Sequence, residues 1–217
     1  MKIFLGYSAP VSTGIFLLLT FILLNGCTLV PPIKPSAMTT YNLDIDFEPV
    51  SENSGELILR INTPKVLSGL NSSRMVYIEQ AHEINYFSQN QWIDSPARML
   101  APLLVQALEH RGKYRAVVNM RSASRADIRL DTDIIRFQHE FITRPSQVHL
   151  TIRAQLFDLQ GKSVIATREF DVIETATADT PYGGVLATNS AVKKILQQIA
   201  EFSAQESQAG KLKKLSE

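Results

Sequence analysis

Residues 148–172, VHLTIRAQLFDLQGKSVIATREFDV, alternate apolar and polar side chains on either side of a turn-forming stretch. Successive side chains of a strand point to opposite faces. Val148, Leu150, Ile152, Ala154 and Leu156 therefore share one face, and His149, Thr151, Arg153 and Gln155 share the other. Asp158–Gly161 supplies a turn. Val164, Ala166, Phe170 and Val172 then resume the alternation, with Arg168 breaking it. Two such strands, adjacent in sequence, predict an antiparallel hairpin with one buried face.

Working outward, the same signal recurs. Ile128-Arg129-Leu130 continues through Ile134 and Ile135 towards Phe137 and Phe141. Tyr41–Phe47 and Leu57–Ile61 also alternate, while Met75–Ile78, Ile84–Phe87 and Tyr114–Val118 are shorter strand candidates. Two segments have the helical period instead. Pro96, Met99, Leu100, Leu103, Leu104, Ala107 and Leu108 form one apolar stripe. Ser95-Pro96 offers an N-cap and a proline at the first helical position, and Gly112 a left-handed end. Val185, Thr188, Val192, Ile195, Leu196, Ile199 and Phe202 make a second stripe. Its start is open, because Thr180-Pro181 resembles a cap while Gly183-Gly184 weakens a first turn. Elements with one apolar face each predict an α/β (α+β-like) fold. The expectation is a compact mixed, largely antiparallel sheet with two principal helices packed on one face.

At the other end, residues 15–27 read IFLLLTFILLNGC, and Cys27 is the only cysteine. Leu24-Asn25-Gly26-Cys27 has the shape of a bacterial lipoprotein cleavage box. An ordinary secretory signal needs no cysteine at the cut. A transmembrane helix wants about 20 apolar residues, and here Pro10, Ser12 and Gly14 interrupt the run on one side while Asn25 ends it on the other. We read residues 1–26 as a lipoprotein signal peptide and Cys27 as the lipidated residue, bearing acyl chains such as palmitate. Several acyl chains make a durable anchor where one gives marginal binding. Thr28, rather than an aspartate, favours the periplasmic face of the outer membrane. Residues 27–40, with three prolines, read as the lipidated cysteine and a tether. Residues 41–202 are the folded domain. The polar tail 203–217, with Lys211, Lys213 and Lys214, reads as disordered.

Cleavage leaves residues 27–217 with equal numbers of basic and acidic side chains. That balance gives no footprint for nucleic acid. Lipidation consumes the only thiol, which excludes a disulfide framework, a redox pair and a thiolate nucleophile. The histidines are His82, His110, His139 and His149. None has zinc-motif spacing, although His139-Glu140 and His149 could approach across neighbouring strands. No serine sits in a G-x-S-x-G elbow. Neither Ser68-Gly69 nor Tyr182-Gly183-Gly184 forms a phosphate loop, and Asp131/Asp133 are an ordinary strand-edge pair. The chain is read as non-enzymatic, without metal or cofactor. Trp92, the single tryptophan, has two readings. One is packing against the first helix start as a hydrophobic staple, for which Ile93 also qualifies. The other is an aromatic contact for a partner.

Three blocks carry a resemblance. They are YFSQNQWIDSPARMLAPLLVQALEHRGKYRAVV (86–118), RLDTDIIRFQHEFITRPSQVHLTIRAQL (129–156) and TREFDVIETATADTPYGGVLATNSAVKKILQQIAEF (167–202). In the second, Phe141 and Arg144-Pro145-Ser146 match; in the third, Gly183, Gly184, Val185, Ala187 and Ala191 match. Together they resemble the ABC-type transport auxiliary lipoprotein family, which includes the lipoprotein of paraquat-inducible, MCE-type lipid transport systems. Gln91 stands where a basic residue commonly precedes the tryptophan, and Ser95 where threonine is frequent. The resemblance implies a compact α/β domain without catalytic residues. It also implies partners: an MCE-domain carrier, with its permease and ATPase in the wider complex. A homo-oligomer stays open. The rival reading is a lipoprotein that itself carries a lipid between helices and sheet; a third is an envelope-structural lipoprotein.

Overall fold

The computed structural model describes residues 37–47, 55–111 and 113–215. The signal peptide, Cys27, most of the tether and Gly112 lie outside the described residues.

The strands are β1 (Thr39–Tyr41), β2 (Ile58–Ile61), β3 (Lys65–Val66), β4 (Arg74–Ile78), β5 (Asn85–Trp92), β6 (Ala116–Asn119), β7 (Ile128–Glu140), β8 (Gln147–Asp158) and β9 (Ser163–Thr175). The helices are α1 (Pro96–His110), between β5 and β6, and α2 (Pro181–Leu215), after β9. A 3-10 turn, Ser68–Leu70, precedes β4. The strands form one mixed sheet, largely antiparallel in its long strands, and both helices pack on one face.

β7 organises the sheet. One of its edges pairs antiparallel with β8 along nearly its whole length, and β8 pairs in turn with β9. Its other edge is shared end to end by three short parallel strands. Leu59 of β2 stands opposite Ile128, Lys65 of β3 opposite Asp133, and Tyr77 of β4 opposite His139. β6 lies outside β2, and β5 outside β4, with β1 beyond β5. Along β7 the buried residues are Ile128, Leu130, Thr132 and Ile134, then Phe137 and His139. The phase changes at a register shift between Ile134 and Arg136. The Ile134-Ile135 doublet marks that extra residue, which is what a bulge requires to keep one face apolar.

The helical stripes fall where their spacing put them. Leu100, Leu104 and Leu108 of α1 and Val192, Ile195, Leu196 and Ile199 of α2 are almost fully buried. Ser95 is the N-cap of α1 and Pro96 its first residue, but the serine side chain makes no cap bond. Its carbonyl accepts from the Arg98 and Met99 N–H groups instead, while the Asp94 carboxylate accepts from the Ser95 N–H at 2.7 Å. At α2, Thr180-Pro181 is the start: Thr180 Oγ1 accepts from the Gly183 N–H at 3.1 Å. The two glycines are there for close approach. A Cβ on Gly183 would meet the Ala178 carbonyl, and one on Gly184 would lie 2.4 Å from His139 Nδ1.

Three expectations change. Only Thr39–Tyr41 of the first alternating segment joins the sheet. Residues 42–47 run extended beside the helices, where Leu43 and Ile45 are buried and the Asp44 N–H donates to Asn189 Oδ1 at 2.7 Å. The alternation was a burial signal without a ladder. β5 runs on from the expected Phe87 to Trp92, carried by its pairing with β4 and β1. The tail continues α2 through Leu215. Its small residues Ser203, Ala204 and Ser207 are buried, and the hydroxyls face Tyr114, whose Oη lies 2.6 Å from Ser203 Oγ. Small side chains can pack closely without showing an apolar stripe.

Candidate functional site

Chemistry is sparse in this fold. Among the described residues no group of histidine, cysteine or carboxylate side chains could hold a metal ion. Among them, too, no helix is long and apolar enough to cross a membrane. What the fold offers are three surfaces built around the β7–β8–β9 sheet.

The first is the sheet face away from the helices. Alternation sends Arg136, Gln138, Glu140, His149, Thr151 and Asp171 to this side. They form one network. His149 lies 3.1 Å from Glu140 Oε1 through Nδ1 and 2.9 Å from Asp171 Oδ1 through Nε2. Thr151 donates to Asp171, and Gln138 donates to Glu140. Desolvation raises the Asp171 pKa, but the hydrogen bonds from Thr151 and His149 and the His149 and Arg136 charges together lower it below the ordinary value. Each carboxylate is already engaged, so the face is a set of cross-strand pairs. Glu140 and His149 do approach, as their spacing allowed; His139 points to the opposite face. Asp131 is neutralised by Arg129 at 3.0 Å and accepts from Asn62 Nδ2 at 2.6 Å.

The second is the start of α2. His139 is buried beside Phe87 and Phe141, with ring centroids 6.3 and 4.2 Å away. Its Nε2 lies 2.9 Å from Ser146 Oγ, and its Nδ1 has no partner. Burial pushes its pKa down to about 4, against the opposing pull of the Asp179 charge. Asp179 accepts from the Ser146 N–H at 2.7 Å and pairs with Arg144. Those bonds, the Ser146 backbone first, hold its carboxyl near 2. The unit ties the β7–β8 loop to the α2 start. His110 meets Phe47 ring to ring at 6.1 Å, and His82 occupies a turn with φ of 70°.

The third is the flank of β9. Between it and α2 runs an open groove of about 590 Å³, lined by Arg168, Phe170, Lys194, Gln197, Gln198, Glu201 and Phe202. Arg168 belongs to the inward row after all. It pairs across from Ala154 and lies over the Phe202 ring at 4.8 Å. By contrast, the cavity between both helices and the sheet holds about 10 Å³, beside Leu100, Leu104, Thr132, Ile134, Leu196 and Ile199. That is room for about one water; side chains fill the rest.

Trp92 is buried, and its ring meets Phe137 of β7 edge-on at 5.5 Å. The indole packs into the core against the sheet, while neighbouring Ile93 is exposed. As a partner contact it would have to leave that core, and its burial supports the packing reading. Cys27 lies outside the described residues. The groove beside β9 was not foreseen, because an edge strand and an interior strand share the same alternation.

The comparisons agree with this architecture. A family model described as the ABC-type transport auxiliary lipoprotein component matches residues 41–200. The chain belongs to that family. A solved structure of a Xanthomonas campestris protein superposes with a TM-score of 0.73 at 19% identity, covering 80% of this chain and 99% of that one. A second solved structure gives 0.61 at 16% identity, covering 76% and 97%. At such identities they show the fold. No curated protein matches the sequence.

Proposed function

We propose that the protein is a lipid-anchored, non-enzymatic docking component of an MCE-type ABC lipid transport system. Cys27 would hold it to the periplasmic face of the outer membrane, and the domain would receive the MCE carrier protein, with the permease and ATPase in the wider complex. The observation that carries the reading is the auxiliary-lipoprotein match across residues 41–200. The filled interior supports docking over the carrier rival. A pocket for a small ligand occupies about 300–1,000 Å³; the interior cavity beside Leu100, Leu104 and Ile199 is about 10 Å³, and the larger groove between α2 and β9 is open to solvent. A lipid enclosed in that interior would have to part α1 and α2 from the sheet.

Affinity purification of the native, lipidated chain tests this. Recovery of an MCE-domain protein supports docking. Lipid retained in stoichiometric amount by the Cys27→Ser protein, with no MCE partner recovered, supports the carrier instead. Labelling with a radioactive fatty acid tests the anchor separately: the parent should incorporate it, and equal incorporation by Cys27→Ser would remove the anchor from the reading.

A further inference from the structure

We propose that an apolar patch at the root of the tether, built by Tyr41, Ile93, Tyr182 and Leu186, lies against the phospholipid surface to which the chain is anchored. Such contact presupposes the Cys27 anchor and adds that the folded domain itself touches lipid. The patch forms where the chain enters the domain. Met38 precedes β1, and Tyr41 ends it. The Tyr41 ring faces Tyr182 at 6.1 Å, its carbonyl accepts from the Ile93 N–H at 2.8 Å, and Leu186 follows Tyr182 one turn along α2. The chain then stays beside the same flank of the helix, where the Asp44 N–H meets Asn189 Oδ1. Met38, Ile93, Tyr182 and Leu186 are all exposed.

Apolar side chains scattered over a surface need no explanation, whereas adjoining ones mark a contact. The solvent flank of a helix packed on a sheet is ordinarily polar. In its first two turns α2 buries Val185 and Thr188 on its inner side, yet leaves Tyr182 and Leu186 exposed.

The length of the tether selects lipid as the occupant. Cys27 lies eleven residues before Met38, a span of at most about 40 Å. A domain pivoting on so short a tether turns the surface around Met38 to the membrane before any other, at high effective concentration. Tyrosine, with an apolar ring and a polar tip, suits the boundary between headgroups and acyl chains. The charges on the adjoining segments form no basic patch: Asp94 pairs with Arg98, Asp179 with Arg144, and Asp44 is acidic. The contact is therefore apolar, and it needs neither anionic lipid nor low salt.

The test uses the full lipidated chain in phosphatidylcholine vesicles. Acylation of the single cysteine leaves no free thiol, so Leu186→Cys offers one site for a fluorophore. Gln106→Cys, on the exposed side of α1, is the control. Nitroxide-bearing acyl chains should quench the label at 186 and leave that at 106 nearly unchanged, alike at low and high salt. Tyr182→Ser with Ile93→Ser should remove most of the quenching at 186 while the protein still floats with the vesicles. Emission of the buried Trp92, measured before labelling, reports that each variant is folded. Equal quenching at 186 and 106, or quenching that persists in the double variant, overturns the proposal. So does a label at 186 shielded from aqueous iodide but untouched by the nitroxide lipids, because a second copy or another protein would then cover the patch. Quenching that requires anionic lipid or vanishes in salt overturns it too, since the contact would then be electrostatic. Flotation separates the two readings. A parent chain that does not float loses the anchor and the patch contact together, whereas one that floats without quenching at 186 loses the patch contact alone.

Discussion

Acidification should destabilise the domain through His139, in a window that its surroundings define. The imidazole is only 4% exposed and is packed by Phe87 and Phe141, with Gly184 of α2 against Nδ1. Asp179 is the charged group that acts on it. Its folded pKa of about 4 lies below the ordinary value of 6.5. Between those values the unfolded chain binds the proton and the folded chain does not, so stability rises with pH there. The contribution is complete above about pH 6.5 and is lost as pH falls towards 4. At one pKa unit per roughly 1.4 kcal/mol, the loss between pH 7.5 and pH 5 is about 2 kcal/mol, and the limit is about 3 kcal/mol. Urea titrations at both pH values would measure it, with His139→Gln as the comparison because glutamine can still bond Ser146 but cannot titrate. The parent should lose about 2 kcal/mol more than the variant over this interval. An identical pH dependence in both proteins would refute the argument, whatever the variant's stability at neutral pH. Asp179, held near 2 by the Ser146 N–H and Arg144, acts in a lower window, where stability present above about pH 4 is lost as its carboxyl protonates.

Leu103→Ala should cost about 2–5 kcal/mol, because the side chain lies between α1 and the sheet, whereas Gln106→Ala on the exposed side should shift the melting temperature little. Gly184→Ala should cost about 1–3 kcal/mol through overpacking against His139. The double change with His139→Ala should recover part of it, and strict additivity would show that the contact is not the cause. Thr132→Val should stabilise by about 1 kcal/mol, since the threonine hydroxyl is buried without a partner beside the small interior cavity; a melting temperature lowered by the change would mean that the hydroxyl is satisfied.

Much of the architecture was legible because burial and period coincide in it. The β8–β9 hairpin and the α1 stripe fell where their alternation and spacing put them. The α2 start was ambiguous because Gly183 and Gly184 oppose a helix by propensity, yet tertiary packing requires them: each clears a neighbouring backbone or ring. Residues 42–47 misled in the opposite sense, since an extended chain lying on a helical layer alternates as a strand does. The continuation of α2 past Phe202 was hidden because Ser203 and Ser207 face Tyr114, and hydroxyl residues on a buried face carry no hydrophobic period. The polar networks could be drawn up as residue types, but only the register of β7, β8 and β9 decides that His149 joins Glu140 and Asp171 while His139 turns to the core. The groove at β9 follows from which strand comes last, a property of topology that local sequence does not encode.

The shared edge of β7 also governs the order in which the chain can become structured. β2, β3 and β4 complete their pairing with β7 on a segment that is synthesised only after all of α1 and β6. Until residues 128–140 are available, the amino-terminal strands lack the ladder that joins them into one sheet, and their apolar side chains lack the surface that covers them. Such long-range parallel pairing is slow to form and leaves strand edges open to aggregation in the interval. A nascent chain stalled before Ile128 should therefore depend on holding chaperones, and release past Asp158, which adds the β7–β8 pair as one hairpin, should be the point at which that dependence ends.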